Sequence, residues 1–281
     1  MAITATMVRE LRERTGAAMM DCKKALEGAD GSMEAAIDNL RKQGLKSAGK
    51  KASRDTAEGR VIACLDASGK RGHLVGIACE TDFLAKGEGF VEFVGELSKQ
   101  VIATDPVDAE ALLSQEWAGG GDVKAALAAA VGKFGENIQI SNCVRMGNDA
   151  GQVGAYVHHD NKQGAIASIT TEAGAEQAAE VIKSLCQHIV VFNPTFLNQG
   201  AVPVEDVERE KAIINESEEI KAKPPEHRDK IVEGKLRKWY STNTLEDQPW
   251  ILDDKMTVKK AIEAALGKGS TIVSFQRIAL G

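Results

Sequence analysis

The chain has 281 residues, enough for two or three domains of ordinary size. Hydrophobic residues make up 43% and charged residues 27%, a soluble globular composition, and the formal net charge of −6 argues against a protein that coats nucleic acid. No run approaches the ~18 apolar residues of a membrane span, and MAITATMVRELRERTG has no apolar signal core, so a cytoplasmic chain is expected.

Cys22, Cys64, Cys79, Cys143 and Cys186 are odd in number and scattered, with no CxxC pair. Reduced packing thiols are the expectation, and neither a metal site nor a cofactor is offered.

Residues 4–43 read as three short helices. Val8, Leu11 and Thr15 share one face of the first, and Gly16 is placed to end it in a left-handed cap. Met19, Cys22, Leu26 and Ala29 form a stripe on the second. Ser32 is a cap for the third, with Met33, Ile37 and Leu40 inside and Gly44 after its end. LKSAGKKASRDTAEG (45–59) then reads as a polar, basic linker.

RVIACLDASGKRGHLVGIACE reads as a hairpin. FVEFVGELSKQVIATDP follows as a helix, with Phe90, Phe93 or Val94, Leu97 and Val101 at helical spacing. The order returns later: GAYVHHDNKQGAIASITTE is a hairpin around Lys162–Gly164, and AAEVIKSLCQHIVVFNP a helix. With Pro106 set on Pro194, Val94 falls on Ile182, Leu97 on Leu185 and Val101 on Ile189. Each half closes with a helix and a strand-like tail, so an α+β unit is expected twice, each an antiparallel sheet against helices.

The second unit carries an insertion at about 200–245. Residues 203–222 look helical, Pro224 and Pro225 break the chain, and PEHRDKIVEGKLRKWYS follows with Val232, Leu236 and Trp239 along one face. A protruding helical hairpin is expected. The fold class is therefore α+β. A three-helix N-terminal module with its linker (1–54) precedes two core repeats, 55–149 and 150–281, the second holding the helical hairpin.

Chemistry is sparse. GLKSAGKK (44–51) nearly matches a phosphate-binding loop, but Lys51 stands where the Mg²⁺-binding hydroxyl belongs and no strand precedes it, so a flexible tether is the simpler reading. His158 and His159, as strand neighbours, would point to opposite faces and not share an ion. Gly119–Gly120–Gly121 reads as a turn. The basic lean of the first 54 residues is most simply a solvated face, with RNA contact or an acidic partner as the functional alternatives, although no stacking aromatics are interleaved. Thr81–Asp82–Phe83 sits at a strand exit; composition alone would have Thr81 or Asp82 capping the next helix and Phe83 in the core.

RELRERTGAAMMDCKKAL (9–26) and ETDFLAKGEGF (80–90) resemble the two signature segments of the bacterial elongation factor Ts family. GENIQI (135–140) and VEGKLRKW (232–239) also look like family segments, and the resemblance runs along nearly the whole chain. Glu80 stands where the family often has an amide, and Leu84 and Gly87 also vary its pattern. Some members carry a further C-terminal helical module that contacts the partner, and none is expected from the residues up to Gly281.

The resemblance implies a non-enzymatic exchange factor that promotes GDP release from elongation factor Tu. By match, Asp82 and Phe83 insert between two helices of the partner's G domain near its Mg²⁺, and Thr81 of the same segment is a partner-binding residue. Asp21, Cys22 and Lys23 grip the same domain, and His158 sits at the interface of the second half. One-to-one and two-to-two complexes both occur in the family, and no stable nucleic-acid complex is expected. Two alternatives remain from the residues themselves: a non-catalytic RNA scaffold, and a thiol enzyme built on Cys79 beside Glu80.

Overall fold

The computed structural model describes residues 2–222 and 224–281. Helices α1 (Ala5–Thr15), α2 (Met19–Glu27) and α3 (Met33–Lys51) open the chain. The Thr4 hydroxyl accepts the Met7 N–H at 3.3 Å and Ser32 accepts that of Ala35 at 3.3 Å, so each caps its helix. Gly16 ends α1 at φ 66°, as its position suggested. Val8, Leu11, Cys22, Ala25, Leu26 and Ala36 are the buried centre of this bundle, with Met33, Ile37 and Leu40 packed on it.

The third helix does not stop before Gly44. It continues to Lys51, and the expected tether shrinks to 52–57. The phosphate-loop look-alike is therefore helix. The cause is tertiary: Gly44 is buried against a helix of the core, and Ala48 packs into the first core cluster.

Strands β1 (Glu58–Leu65) and β2 (Arg71–Cys79) form the first hairpin. Four helices follow: α4 (Asp82–Lys86), α5 (Glu88–Thr104), α6 (Ala109–Ser114) and α7 (Val123–Phe134). The sequence reading had no α6; six residues capped by Asp108 give too little periodicity to register. Strand β3 (Ile138–Gly147) completes an antiparallel sheet ordered β1-β2-β3. Gly120 and Gly121 turn at φ 86° and 80° as expected.

Strands β4 (Gln152–Val157) and β5 (Gln163–Thr170) come next, then α8 (Ala175–Phe192). The turn occupies 158–162 rather than 162–164, with Asn161 at φ 58°. The expected helix over 203–222 is broken at Ser217 into α9 (Val204–Glu216) and α10 (Glu218–Lys221), because the Ser217 backbone is extended at ψ 138°. Helix α11 (Pro225–Asn243) returns alongside, sharing Ile214, Ile220 and Val232 as a small core. Strands β6 (Pro249–Trp250) and β7 (Asp253–Thr257), helix α12 (Val258–Leu266) and strand β8 (Thr271–Ala279) finish the chain. The second large sheet is ordered β4-β5-β8, again antiparallel.

Strand β2 is buried from Gly72 to Cys79, so both of its faces are covered. Val75, Ile77 and Cys79 meet Phe90, Val94, Leu97 and Val101 of α5. Leu74 and Ala78 face the other way, onto Val153, Ile166, Ile278 and Leu280 of the second sheet. That sheet turns Ala165, Ala167 and Ile169 toward Ile182, Leu185 and Ile189 of α8. The layers run helix, sheet, sheet, helix, an arrangement that buries both faces of each central strand.

Candidate functional site

Strand β2 leaves the core at Cys79, and the chain must turn without abandoning its backbone polar groups. Thr81 adopts extended backbone and caps α4, its hydroxyl accepting the Leu84 N–H at 3.2 Å. Ala85 is buried and Leu84 packs partly on the core. Phe83, two positions before Ala85, lies on the opposite side of this short helix.

The Phe83 ring is 85% exposed, the most exposed of the large hydrophobic side chains in the described structure. Leaving a phenylalanine in water forgoes about 1.5–3 kcal/mol of burial. The expectation from composition, a core phenylalanine, is thus not what forms.

Asp82 opens α4 beside that ring. Its carboxylate accepts from Lys86 Nζ at 2.7 Å, and this hydrogen bond holds the carboxyl below its usual range. The result is a half-exposed anion next to an exposed ring, at the tip of a five-residue helix. The Ala85 carbonyl accepts from the Arg60 guanidinium at 3.3 Å, tying the helix back to β1.

A residue without a role in the sequence reading closes the strand exit. The N–H groups of Glu80 and Thr81 both donate to Glu136 Oε2, at 3.1 and 3.0 Å. The Thr81 hydroxyl donates to Glu136 Oε1 at 2.6 Å. GENIQI was visible in the sequence as a segment, but only folding brings Glu136 to Thr81.

Cys79 is no nucleophile. Its thiol is fully buried, donates to the Thr81 carbonyl at 3.3 Å, and is pushed by burial up to about 11. The thiol-enzyme alternative fails on both access and acidity.

The other candidate residues lie elsewhere. Asp21, Cys22 and Lys23 are on α2 in the N-terminal bundle. Lys23 is exposed and Asp21 half-buried, but Cys22 is fully buried, its thiol donating to the Ala17 carbonyl at 3.6 Å. Cys22 therefore lies beneath this surface, out of solvent.

His158 and His159 do not alternate across a strand, because β4 ends at Val157; their rings stand 4.2 Å apart in the turn. His158 Nδ1 lies 3.1 Å from the Tyr156 hydroxyl. This turn docks on the start of β1: the Val61 N–H donates to the Asn161 carbonyl at 2.7 Å and Lys162 pairs with Glu58 at 2.9 Å. Glu58 is in turn the register partner of Cys79. The His158 turn and the Phe83 helix thus flank one end of β1, with the α2 surface on a separate bundle.

Among the described residues, no group of three or more His, Cys, Asp or Glu side chains is placed to hold a metal ion, and no helix is long and apolar enough to cross a membrane.

A sequence model of the family described as "Elongation factor TS" matches residues 80–281. The chain is 42% identical over 283 residues to "Elongation factor Ts" of Xanthomonas campestris pv. campestris. It is 39% identical over 290 residues to the protein so named in Trichlorobacter lovleyi, and 38% over 282 residues to that of Clostridium perfringens. The alignments span 99–100% of this chain and 93% of each relative. With the family model covering well over half of its length and full-length relatives of this similarity, the chain belongs to the elongation factor Ts family.

Proposed function

We propose that this chain accelerates GDP release from elongation factor Tu by inserting Phe83 and Asp82 between two helices of the partner's G domain, close to its Mg²⁺ site. Members of the family are nucleotide exchange factors for elongation factor Tu in translation elongation. The observation that carries the finer reading is the 85% exposed Phe83 ring on a helix whose other side is anchored.

Exchange forms no covalent bond in the exchanger, so a site without a nucleophile–base pair suits the role. The requirement is a complex in which the partner's phosphate and Mg²⁺ contacts are weakened. Coupling is reciprocal: whatever factor this chain takes from GDP affinity, GDP takes from its own, and ~3 kcal/mol corresponds to about 150-fold. A ring driven into a packed interior shifts helices in discrete steps, because such interiors do not deform continuously.

In this reading residues 1–54 form the N-terminal grip, with Asp21 and Lys23 at its surface and Cys22 beneath. Residues 55–149 and 150–281 are two copies of one α+β unit, and His158 meets the partner's other domains. The protein works in the cytoplasm, in a one-to-one or two-to-two complex that the mass of the isolated assembly decides.

The test is release of fluorescent GDP from loaded elongation factor Tu. The chain should speed release, and Phe83→Ala should slow that effect at least tenfold, the scale of a lost transition-state contact of ~1.4 kcal/mol. A Phe83→Ala protein as fast as the parent would remove the insertion.

A further inference from the structure

The polar joint beneath Phe83 reaches further than its own strand exit. Glu136 uses both carboxylate oxygens to hold two backbone N–H groups and the Thr81 hydroxyl. Glu80 answers in the opposite direction: its Oε1 accepts the Asn137 N–H at 2.5 Å and the Arg54 guanidinium at 3.2 Å. The Asn137 side chain is 4% exposed, and its amide donates to the carbonyls of Arg54 at 2.8 Å and Ala52 at 3.5 Å. Ala52 caps the C-terminal end of α3. One dipeptide, Glu136–Asn137, thus holds the root of the Phe83 helix with one residue and the exit of the N-terminal bundle with the next.

We infer that Glu136 and Asn137 are positioning residues for exchange, a rigid joint that keeps the Phe83 ring and the α2 surface in fixed register. The inference rests on the reading of Phe83 as the inserted group. A five-residue helix is far too short to be stable alone, and α4 buries only Ala85 fully. Pushed against a partner, such a helix would bend before the partner did. Hydrogen bonds to a carboxylate are the stronger kind, and three converge on Glu136. With the joint in place, binding at the α2 surface is transmitted to the ring, and the partner's helices yield instead of the exchanger's. Without it, the chain still binds but no longer pushes.

The test uses the full chain with elongation factor Tu carrying fluorescent GDP. Glu136→Gln keeps the side-chain shape but replaces one accepting oxygen by a donor. The maximal release rate should fall about tenfold, a modest case of the loss expected from slight misplacement. The half-saturating concentration should move less than about twofold, since ground-state contacts persist. In a Phe83→Ala background the same substitution should have no further effect, because two residues acting through one contact are not additive. Amide hydrogen exchange should quicken at Glu80 and Thr81 and stay unchanged along β2.

An unaltered release rate in Glu136→Gln overturns the inference, as does equal slowing with and without Phe83. Either result leaves the proposed function standing where Phe83→Ala alone slows release. A Phe83→Ala protein at the parent rate ends both. Should Glu136→Gln fail to fold, Asn137→Ala, which removes the amide bonded to the Arg54 and Ala52 carbonyls and leaves the Thr81 cap of α4 in place, carries the same rate comparison with and without Phe83.

Discussion

A Cβ placed on Gly44 would stand 3.1 Å from the Ala128 carbonyl oxygen. Here α3 crosses α7 closely enough that the Cα of Gly44 lies 3.6 Å from where a Cβ on Gly132 would stand. Lys51 Nζ donates to the Val131 carbonyl at 3.4 Å further along the seam. Glycine inside a helix costs roughly 1 kcal/mol against alanine; the close approach it permits is what docks the N-terminal bundle on the core.

Gly44→Leu should therefore open that seam. Overpacking of this kind costs about 1–3 kcal/mol, and the bundle should come loose before the core does. Limited proteolysis checks this: cleavage within 44–57 should appear in Gly44→Leu while residues 58–281 stay protected. Identical digestion of parent and variant would show that the seam does not hold the bundle.

Two phenylalanines seven positions apart should behave oppositely. Phe90 is fully buried, edge-on to Phe134 with ring centroids 6.3 Å apart, whereas Phe83 is in solvent. In urea denaturation Phe90→Ala should cost about 3–5 kcal/mol and Phe83→Ala no more than about 0.5 kcal/mol. A large loss of stability from Phe83→Ala would mean the ring packs somewhere in its own chain.

Stability should fall in two stages on acidification. His73 and His188 are both buried, and burial lowers their proton affinity below the ordinary 6.5. The Pro106 carbonyl and Asp105 oppose this at His73, as Gln248 does at His188. The unfolded chain then takes up protons first, so this contribution is present above pH 6.5 and is lost as pH falls through the depressed native values.

Asp105 follows later. Hydrogen bonds from Arg145 at 2.7 and 2.6 Å hold its carboxyl below the ordinary 3.8, so its share disappears only under stronger acid. Unfolding free energy measured against pH should show both stages. His188→Phe, which retains an aromatic ring between Phe192 and Trp250, should reduce the first stage and leave the share of His73. An unchanged slope would place the effect elsewhere.

All five cysteines are free and buried. Burial pushes Cys79 and Cys143 up to about 11, and raises Cys64 and Cys186 as well. Thiol reagents should label the native protein slowly and all five positions at once in guanidinium. Rapid native labelling of Cys79 would mean that the strand exit opens readily.

The residues foretold much of the architecture because the signals involved are local. Gly16 and Ser32 act on backbone groups within a few positions, and Val94, Leu97 and Val101 follow the helical period. The same locality misled at Gly44, where a glycine after an apolar stripe looks like a terminus until α7 is set against it. It misled again at His158 and His159, where strand alternation was extended two residues past the true end of β4.

Sequence alone determined the inventory: three N-terminal helices, two hairpins followed by long helices, a helical insertion, and a Thr-Asp-Phe segment whose resemblance named a family. Composition alone would have buried Phe83 and the resemblance turned it outward; folding alone decided that Glu136 secures its root, since Thr81 and Glu136 are 55 positions apart. Caps and periodicities describe what a few neighbouring residues prefer. The direction of a ring and the satisfaction of a strand's last N–H groups depend on which distant segment arrives beside them, and that is settled when the sheets and helices pack.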